Sequence, residues 1–287
     1  MRALLFTVVM WTSVFLLTCV PKTAQAIETG TVREIVKAVD HGILSPRVMF
    51  PLERDRMLIT DTAGRALYCF DLDGQRQWRT DGTETGETGF LFPGMIASSR
   101  GLNVFVVDSG LRKIFKFDRR GAFAGYLVNQ SVENPSCIAQ GEGGELYIYD
   151  NTSWELTCVE TKGTLRWKVK PWKLTGEVTS MRLADGGIHL LVPGESTIYS
   201  YGKFGEYIRS VRLDCSPVAF WPGSDGRLYV CTKDGSVMIY DTLYNPLITI
   251  DSLEGKKLES PCDLFLSGNR LYLLDCGTQT VHEITIR

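Results

Sequence analysis

The sequence predicts an all-β protein built as a six-bladed β-propeller with four-stranded antiparallel blades. Three observations predict this fold. A strand-like segment returns about every forty residues, a proline-containing start precedes most of the units, and short glycine-containing turns separate the strands. With 287 residues, 44% of them hydrophobic, the chain is long enough to bury such a core.

The repeated unit is clearest in VFVVDSGLRKIFKFDRRG, residues 104–121. An apolar run leads to an Asp, a turn follows, and alternating apolar and polar residues then end at a Gly. The same outline returns at residues 57–74, 146–163, 189–205, 228–245 and 271–287. Six strand-like units in series favour a closed ring over an open sheet.

A start signal precedes the apolar run in five of the units, because Pro at the first residue of a strand costs no ladder hydrogen bond. The signals are SPRVMF from Ser45, FPGMIA from Phe92, NPSCIA from Asn134, SPVAF from Ser216 and SPCDLF from Ser260. The short turns GEGGE, ADGG, SDGR and SGNR then predict hairpins to the next strand. Each unit therefore predicts one four-stranded blade.

The two ends of the chain predict how the ring closes. The sixth unit ends at Arg287 after its third strand, and TVREIVKAV, residues 31–39, is a strand-like segment that belongs to no unit. We expect this N-terminal strand to complete the last blade, which leaves no long open edge. A single propeller domain then spans residues 27–287.

Residues 1–26 predict a secretory signal peptide. One basic residue precedes the apolar stretch from Ala3 to Val20, and the small-residue pattern Ala24, Gln25, Ala26 follows a polar break. An uncleaved anchor and a lipid anchor at Cys19 are the alternatives. The expectation is export to the periplasm or the extracellular space, with no membrane span in the mature chain.

The charge balance argues against a nucleic-acid partner. The whole chain has 31 basic and 33 acidic residues, and removal of the signal takes away Arg2 and Lys22 but no acid, so the net charge falls from −2 to −4. No concentrated stripe of Lys or Arg offers a phosphate footprint.

The repeats resemble NHL repeats, in which P-x-x-I-A is followed by G-x-L-Y-I-x-D and F-D-x-x-G. The resemblance covers all six units and weakens in units four and five, where Pro193 and Thr232 lie near the expected Asp. GQRQWRT and GTLRWKV, with Trp78 and Trp167, are also similar to quinoprotein-like repeats, which usually form eight blades. The second unit matches NHL repeats best, at Pro93, Ile96, Ala97, Asp108, Ile114, Phe117, Asp118 and Gly121. The resemblance implies a fold more than a reaction.

Candidate ligand- or partner-binding residues interrupt the repeat at the mouth of the inner strands. An Arg and acidic groups that converge on a channel are suited to a polar ligand or a partner's charged side chain. The alternative is that they are solvated loop ends or a structural ion pair. These residues are Arg47, Met95, Ser136, Cys137, Glu177, Cys262 and Asp263.

Four aspartates recur at the turn after the second strand: Asp61, Asp108, Asp150 and Asp275. A ring of carboxylates suits calcium or another divalent ion. The favoured interpretation is that each Asp caps its own turn, with no cofactor bound. His41, His189 and His282 fall at non-equivalent positions, so the sequence predicts no zinc site.

One insertion and one cysteine pair complete the candidates. GTETGETGF, residues 82–90, places Asp81, Glu84 and Glu87 in a recognition loop or in a solvated connector. Cys262 and Cys276 lie at the two ends of one predicted hairpin and are a candidate disulfide, although strand geometry often holds such pairs off the required dihedral.

No nucleophile motif, phosphate loop or metal-ligand spacing identifies an enzyme. The expectation is therefore a monomeric, non-enzymatic module that binds another envelope or secreted protein, or a small ligand. Binding is expected at its top face, the end of the ring where the inner strands begin. A metal-assisted lyase or hydrolase with its site in the central channel is the alternative. A quinoprotein-like envelope assembly factor, which predicts eight blades, is the second alternative.

Overall fold

The computed structural model describes residues 29–53, 55–83, 89–98, 103–127 and 131–287. Six four-stranded antiparallel sheets form the blades of a β-propeller, as the sequence predicts. A two-stranded hairpin, β22 (Ser252–Leu253) with β23 (Lys256–Lys257), lies between the fifth and sixth blades in the chain.

The first three blades follow one another in the chain, each with its strands in sequence order. Blade 1 contains β2 (Pro46–Leu52), β3 (Arg56–Asp61), β4 (Ala66–Asp71) and β5 (Arg76–Thr80). Blade 2 contains β6 (Pro93–Ser98), β7 (Asn103–Asp108), β8 (Lys113–Asp118) and β9 (Phe123–Tyr126). Blade 3 contains β10 (Pro135–Gln140), β11 (Leu146–Asp150), β12 (Glu155–Val159) and β13 (Leu165–Val169).

Blades 4 and 5 have the same order, and two short 3-10 helices lie at Ala38–His41 and Pro193–Glu195. Blade 4 contains β14 (Ser180–Ala184), β15 (Gly187–Val192), β16 (Thr197–Gly202) and β17 (Tyr207–Arg212). Blade 5 contains β18 (Pro217–Pro222), β19 (Leu228–Thr232), β20 (Val237–Tyr240) and β21 (Pro246–Ile250).

Blade 6 joins the two ends of the chain. It contains β24 (Pro261–Ser267), β25 (Arg270–Asp275) and β26 (Thr280–Ile286), and β1 (Thr29–Lys37) pairs antiparallel with β26 as its outer strand. Arg33 adds a two-pronged ion pair, because its Nε and Nη2 donate to the Glu283 carboxylate at 3.1 and 3.0 Å. The predicted ring closure is confirmed, although residues 38 and 39 belong to the first 3-10 helix.

The burial pattern explains why the middle strands are continuous apolar runs. In β7 every residue after Asn103 is buried, because both faces of the sheet pack against neighbouring blades. The outer strand β17 has no fully buried residue, since it lies at the rim of the ring. The middle strands also contain Cys69, Cys158 and Cys231, which are small buried core residues.

The closing strand generates a prediction. A variant that begins at residue 38 lacks β1, so we expect it to lose the Arg33 ion pair and the buried Val36, and to expose the edge of β26. If the free energy of unfolding falls by roughly 4 kcal/mol or more, Tm should fall by about 10 °C, because each kcal/mol corresponds to about 2–4 °C. Thermal unfolding by circular dichroism measures this, with a variant that begins at residue 29 as control. Equal Tm values for the two variants would contradict the role of β1.

Candidate functional site

The four recurrent aspartates are buried and engaged with backbone N–H groups. Asp108 shows the arrangement: its carboxylate accepts hydrogen bonds from the N–H groups of Leu91 at 2.7 Å, Phe92 at 3.1 Å and Leu111 at 2.9 Å. Each aspartate thereby ties the turn after the second strand to the loop that enters the inner strand. Asp61, Asp150 and Asp275 make the corresponding bonds in their own blades.

Within the part of the chain that the structure describes, no three His, Cys, Asp or Glu side chains are grouped so that they could hold a metal ion. His189 contacts the Ser200 hydroxyl and the Ala184 carbonyl at 2.9 and 3.2 Å. His41 packs edge-on against Phe70, and His282 is buried in blade 6. The three histidines therefore lie in different parts of the fold: the first 3-10 helix, blade 4 and blade 6.

Blade 4 lacks the aspartate, and a residue of blade 3 takes over part of its role. The Asn151 side chain accepts a hydrogen bond from the Val178 N–H at 2.9 Å and donates one to the Val178 carbonyl at 2.8 Å. Asn151 therefore holds the loop that enters β14. The sequence did not point to this residue, because its partner belongs to the next unit.

Irregular register places several predicted residues at the mouth of the channel. In five blades the register shifts directly after the proline that begins the inner strand, which is typical of a β-bulge. Arg47, Ser136 and Cys262 occupy these irregular positions, and Met95 lies in the longer irregular stretch of β6. Bulges change the direction of side chains, so the residues that interrupt the sequence repeat lie where the strand register is irregular.

We call the end of the ring where the inner strands begin the top face. A cavity of about 390 Å³ opens there, lined in part by Arg47, Met95, Cys262 and Asp263 together with Ser180 and Arg182. The other three predicted residues lie outside this lining. The Ser136 hydroxyl accepts the Asn151 N–H at 3.1 Å, Cys137 is buried so that its thiol pKa rises to about 12, and Glu177 is exposed on an entry loop.

Cys262 and Cys276 form a disulfide with a Cα–Cα distance of 5.8 Å. The bond ties the bulge of β24 to the turn after β25. In blade 3 the Ser136–Asn151 hydrogen bond joins the corresponding pair of positions. The five other cysteines in the described part of the chain, Cys69, Cys137, Cys158, Cys215 and Cys231, are free.

A buried ion pair crosses the channel between blades 4 and 6. Arg182 Nη2 lies 3.1 Å from Asp263 Oδ1, and each side chain is only 4% exposed. The Asp263 carboxylate also accepts the N–H groups of Met49 and Leu264, both at 2.9 Å. Asp263, a predicted residue, thus pairs with Arg182, a residue that the sequence did not indicate. The Asp263 carboxylate connects three inner strands.

The ion pair is held in an environment of low polarity. Burial raises the pKa of Asp263, whereas Arg182 and the two backbone N–H donors oppose the rise. The Arg182 guanidinium also lies 5.3 Å from the centroid of the Trp221 ring in blade 5, a cation–π distance. Arg182 lines the 390 Å³ cavity and a second one of about 870 Å³ at the other end of the inner strands, so it lies where the two meet.

The turns of the top face present side chains at one equivalent position. Arg65, Arg112, Trp154 and Gln279 each follow the turn aspartate by four residues, and each has a left-handed φ between 48° and 60°. The first three are exposed. Blades 1 and 2 thus present arginines where blade 3 presents a tryptophan.

The predicted recognition loop is described only at its start. Asp81 accepts hydrogen bonds from the Thr83 hydroxyl at 2.6 Å and the Thr83 N–H at 3.2 Å, which lower its pKa despite partial desolvation. Arg79 also contacts Asp81, at 3.4 Å. Glu84 and Glu87 lie outside the described residues.

The described fold and site define the chain as a member of the structural class of six-bladed β-propellers. No known family profile matches its sequence, and no curated protein matches it either. The chain is similar in structure to a protein of unknown function from Bacteroides thetaiotaomicron, at 13% identity and a TM-score of 0.69, over 91% of this chain and 77% of that one.

Two further solved structures share the fold. Virginiamycin B lyase from Staphylococcus aureus is 14% identical, with a TM-score of 0.64 over 90% of this chain and 99% of that one. The WD40 repeats of RRP9 are 10% identical, with a TM-score of 0.67 over 91% of this chain and all of that one. Similarities at these identities show the propeller fold and nothing finer. No helix among the described residues is long and apolar enough to cross a membrane.

The buried ion pair generates a prediction. Arg182→Met leaves the Asp263 carboxylate buried without its cation, so we expect the free energy of unfolding to fall by about 3–5 kcal/mol at neutral pH. The folded pKa of Asp263 then lies further above its unfolded value of about 3.9, so the folded variant binds a proton more readily than the unfolded chain. Its deficit relative to the wild type should therefore shrink as the pH is lowered from 7.5 to 5.

Urea unfolding at both pH values measures this, with Arg270→Met as control because Arg270 is exposed and its partner Glu283 keeps a second ion pair with Arg33. A deficit of the same size at pH 5 and pH 7.5 would contradict the assignment to the Asp263 charge.

Proposed function

We propose that this chain is an exported, non-enzymatic propeller that binds another envelope or secreted protein through its top face. The observation that carries the proposal is a group of exposed apolar side chains on that face. Leu44 and Phe92, immediately before the inner strands of blades 1 and 2, are 61% and 51% exposed, and Trp154 in the turn of blade 3 is 40% exposed. Val39, in the first 3-10 helix, and Trp172, on the loop before β14, are also exposed at this face.

Cationic side chains accompany these apolar groups. Arg47 is exposed at the irregular start of β2, and Arg65 and Arg112 are exposed on the top-face turns of blades 1 and 2. Aromatic residues and arginines are the residue types that most often dominate binding energy at protein interfaces. A partner that combines apolar side chains with acidic ones matches this surface.

The frame beneath the surface supports binding without a large rearrangement. The turn aspartates fix the entry loops to the turns, and the Arg182–Asp263 pair, with the Met49 N–H, fixes three inner strands to one another. Loops that are held in place before binding lose less conformational entropy when the partner docks. The same carboxylates bond to backbone N–H groups, which favours their structural role over metal binding.

Two finer parts of the proposal rest on the sequence. The apolar stretch and the small residues before Ile27 are typical of a secretory signal, and the disulfide suits an oxidising compartment such as the periplasm. The repeat pattern, best in blade 2, supports an NHL-like origin for the blades.

Site-specific photocrosslinking tests the top face. We expect a benzoylphenylalanine residue at Phe92 or Trp154 to give a discrete adduct with one partner in the native compartment. The matched control is Leu243, which is 79% exposed on the opposite face. The same adducts from Leu243, or adducts from Leu243 alone, would contradict binding through the top face.

The processing of the N-terminus tests export. We expect the protein recovered from the native compartment to begin at Ile27, because the small-residue pattern ends at Ala26. Intact mass spectrometry measures this, and Ala24→Lys with Ala26→Lys should block cleavage. A native protein that retains Met1, or one lipidated at Cys19, would contradict the cleaved form.

A further inference from the structure

The larger cavity of the channel opens on the face opposite to the top face. It has a volume of about 870 Å³ and lies where the inner strands of blades 1 to 5 end. This volume falls within the range of about 300–1,000 Å³ typical of small-molecule sites. The cavity is therefore large enough for a ligand of one or two rings.

One wall of this cavity is aromatic and apolar. Phe50 and Trp221 meet edge to face with ring centroids 6.1 Å apart, and both are only partly buried. Met181 and Leu183 of blade 4 continue the apolar surface. The negative face of an aromatic ring attracts the weakly positive C–H groups of a ligand, such as those on one side of a pyranose.

The other wall is polar and comes from blades 1, 2 and 3. Glu53, Ser98 and Gln140 lie at or beyond the ends of the inner strands of blades 1, 2 and 3. The Ser98 hydroxyl donates to the Asn103 carbonyl at 3.1 Å, and the Gln140 amide donates to the Gly144 carbonyl at 3.3 Å. These bonds orient both polar groups at the cavity.

The charged groups of the described lining are paired within the protein. Arg182 pairs with Asp263, and Glu53 pairs with Arg56 at 2.8 Å and Arg119 at 3.6 Å. Because these charges already balance one another, a phosphate or carboxylate in the cavity would lose its hydration without gaining a counter-charge from the described lining. A ligand without charge avoids this cost.

We propose that this cavity binds a neutral saccharide of one or two rings. The apolar face of the sugar packs on Phe50 and Trp221, and its hydroxyls face the polar wall. The Arg182–Asp263 pair lies between this site and the top-face cavity. The saccharide site therefore does not depend on the proposed binding of a partner protein.

Calorimetric titration of the full mature chain tests the site. The neutral probes are glucose, N-acetylglucosamine, maltose, cellobiose and diacetylchitobiose, each to about 10 mM, and the charged comparators are glucuronate and glucose 6-phosphate. We expect saturable binding of at least one neutral probe, and about tenfold weaker binding after Trp221→Leu. Trp172→Leu is the matched control, because it removes an exposed indole at the top face.

Thermal unfolding checks that each variant is folded, and Phe50→Leu provides the same test if Trp221→Leu is unstable. Binding that survives both substitutions would place the sugar elsewhere and overturn the proposal. Failure of every neutral probe to bind, or binding of the charged comparators alone, would overturn it as well.

Discussion

The structure depends on the closure of the ring of blades, which is made by two terminal strands that no turn connects. Five blades are continuous segments, whereas the sixth exists only because β1 adds to β26. The hydrogen bonds of this strand pair and the Arg33–Glu283 ion pair take the place of a turn. Every inner strand keeps its place around the channel as a result, because each blade packs on two neighbours only in a closed ring.

Within that ring, side chains at the top face and in the channel position the backbone. The turn aspartates hold the entry loops of four blades, Asn151 holds the entry loop of blade 4, and Asp263 bonds to the backbone of two inner strands. The channel is thereby divided into two cavities of different size and character. The smaller is lined in part by the disulfide and lies among exposed apolar and basic groups, whereas the larger has one aromatic wall and one polar wall.

The sequence predicts the fold well because the repeat is local. Asp108 and Pro93 each act within their own blade, so their spacing alone indicates strands, turns and blade boundaries. The cavities were harder to predict, because their residues come from blades that are distant in the chain. Arg182 occupies an ordinary strand position, and only the arrangement of blades 4 and 6 brings it to Asp263, 81 residues away. The contacts of Trp221 and Asn151 were not predicted for the same reason, because their partners lie in other blades.

The disulfide lies in the blade that contains both ends of the folded chain. Its two cysteines join β24 to the turn after β25, so the inner part of blade 6 is held by a covalent bond, whereas β1 is held by non-covalent contacts alone. Ring opening is therefore asymmetric. The outer strand can peel away from the rim while the channel wall formed by β24 keeps Asp263 in place. Transient fraying at the seam of the ring would then leave both cavities intact.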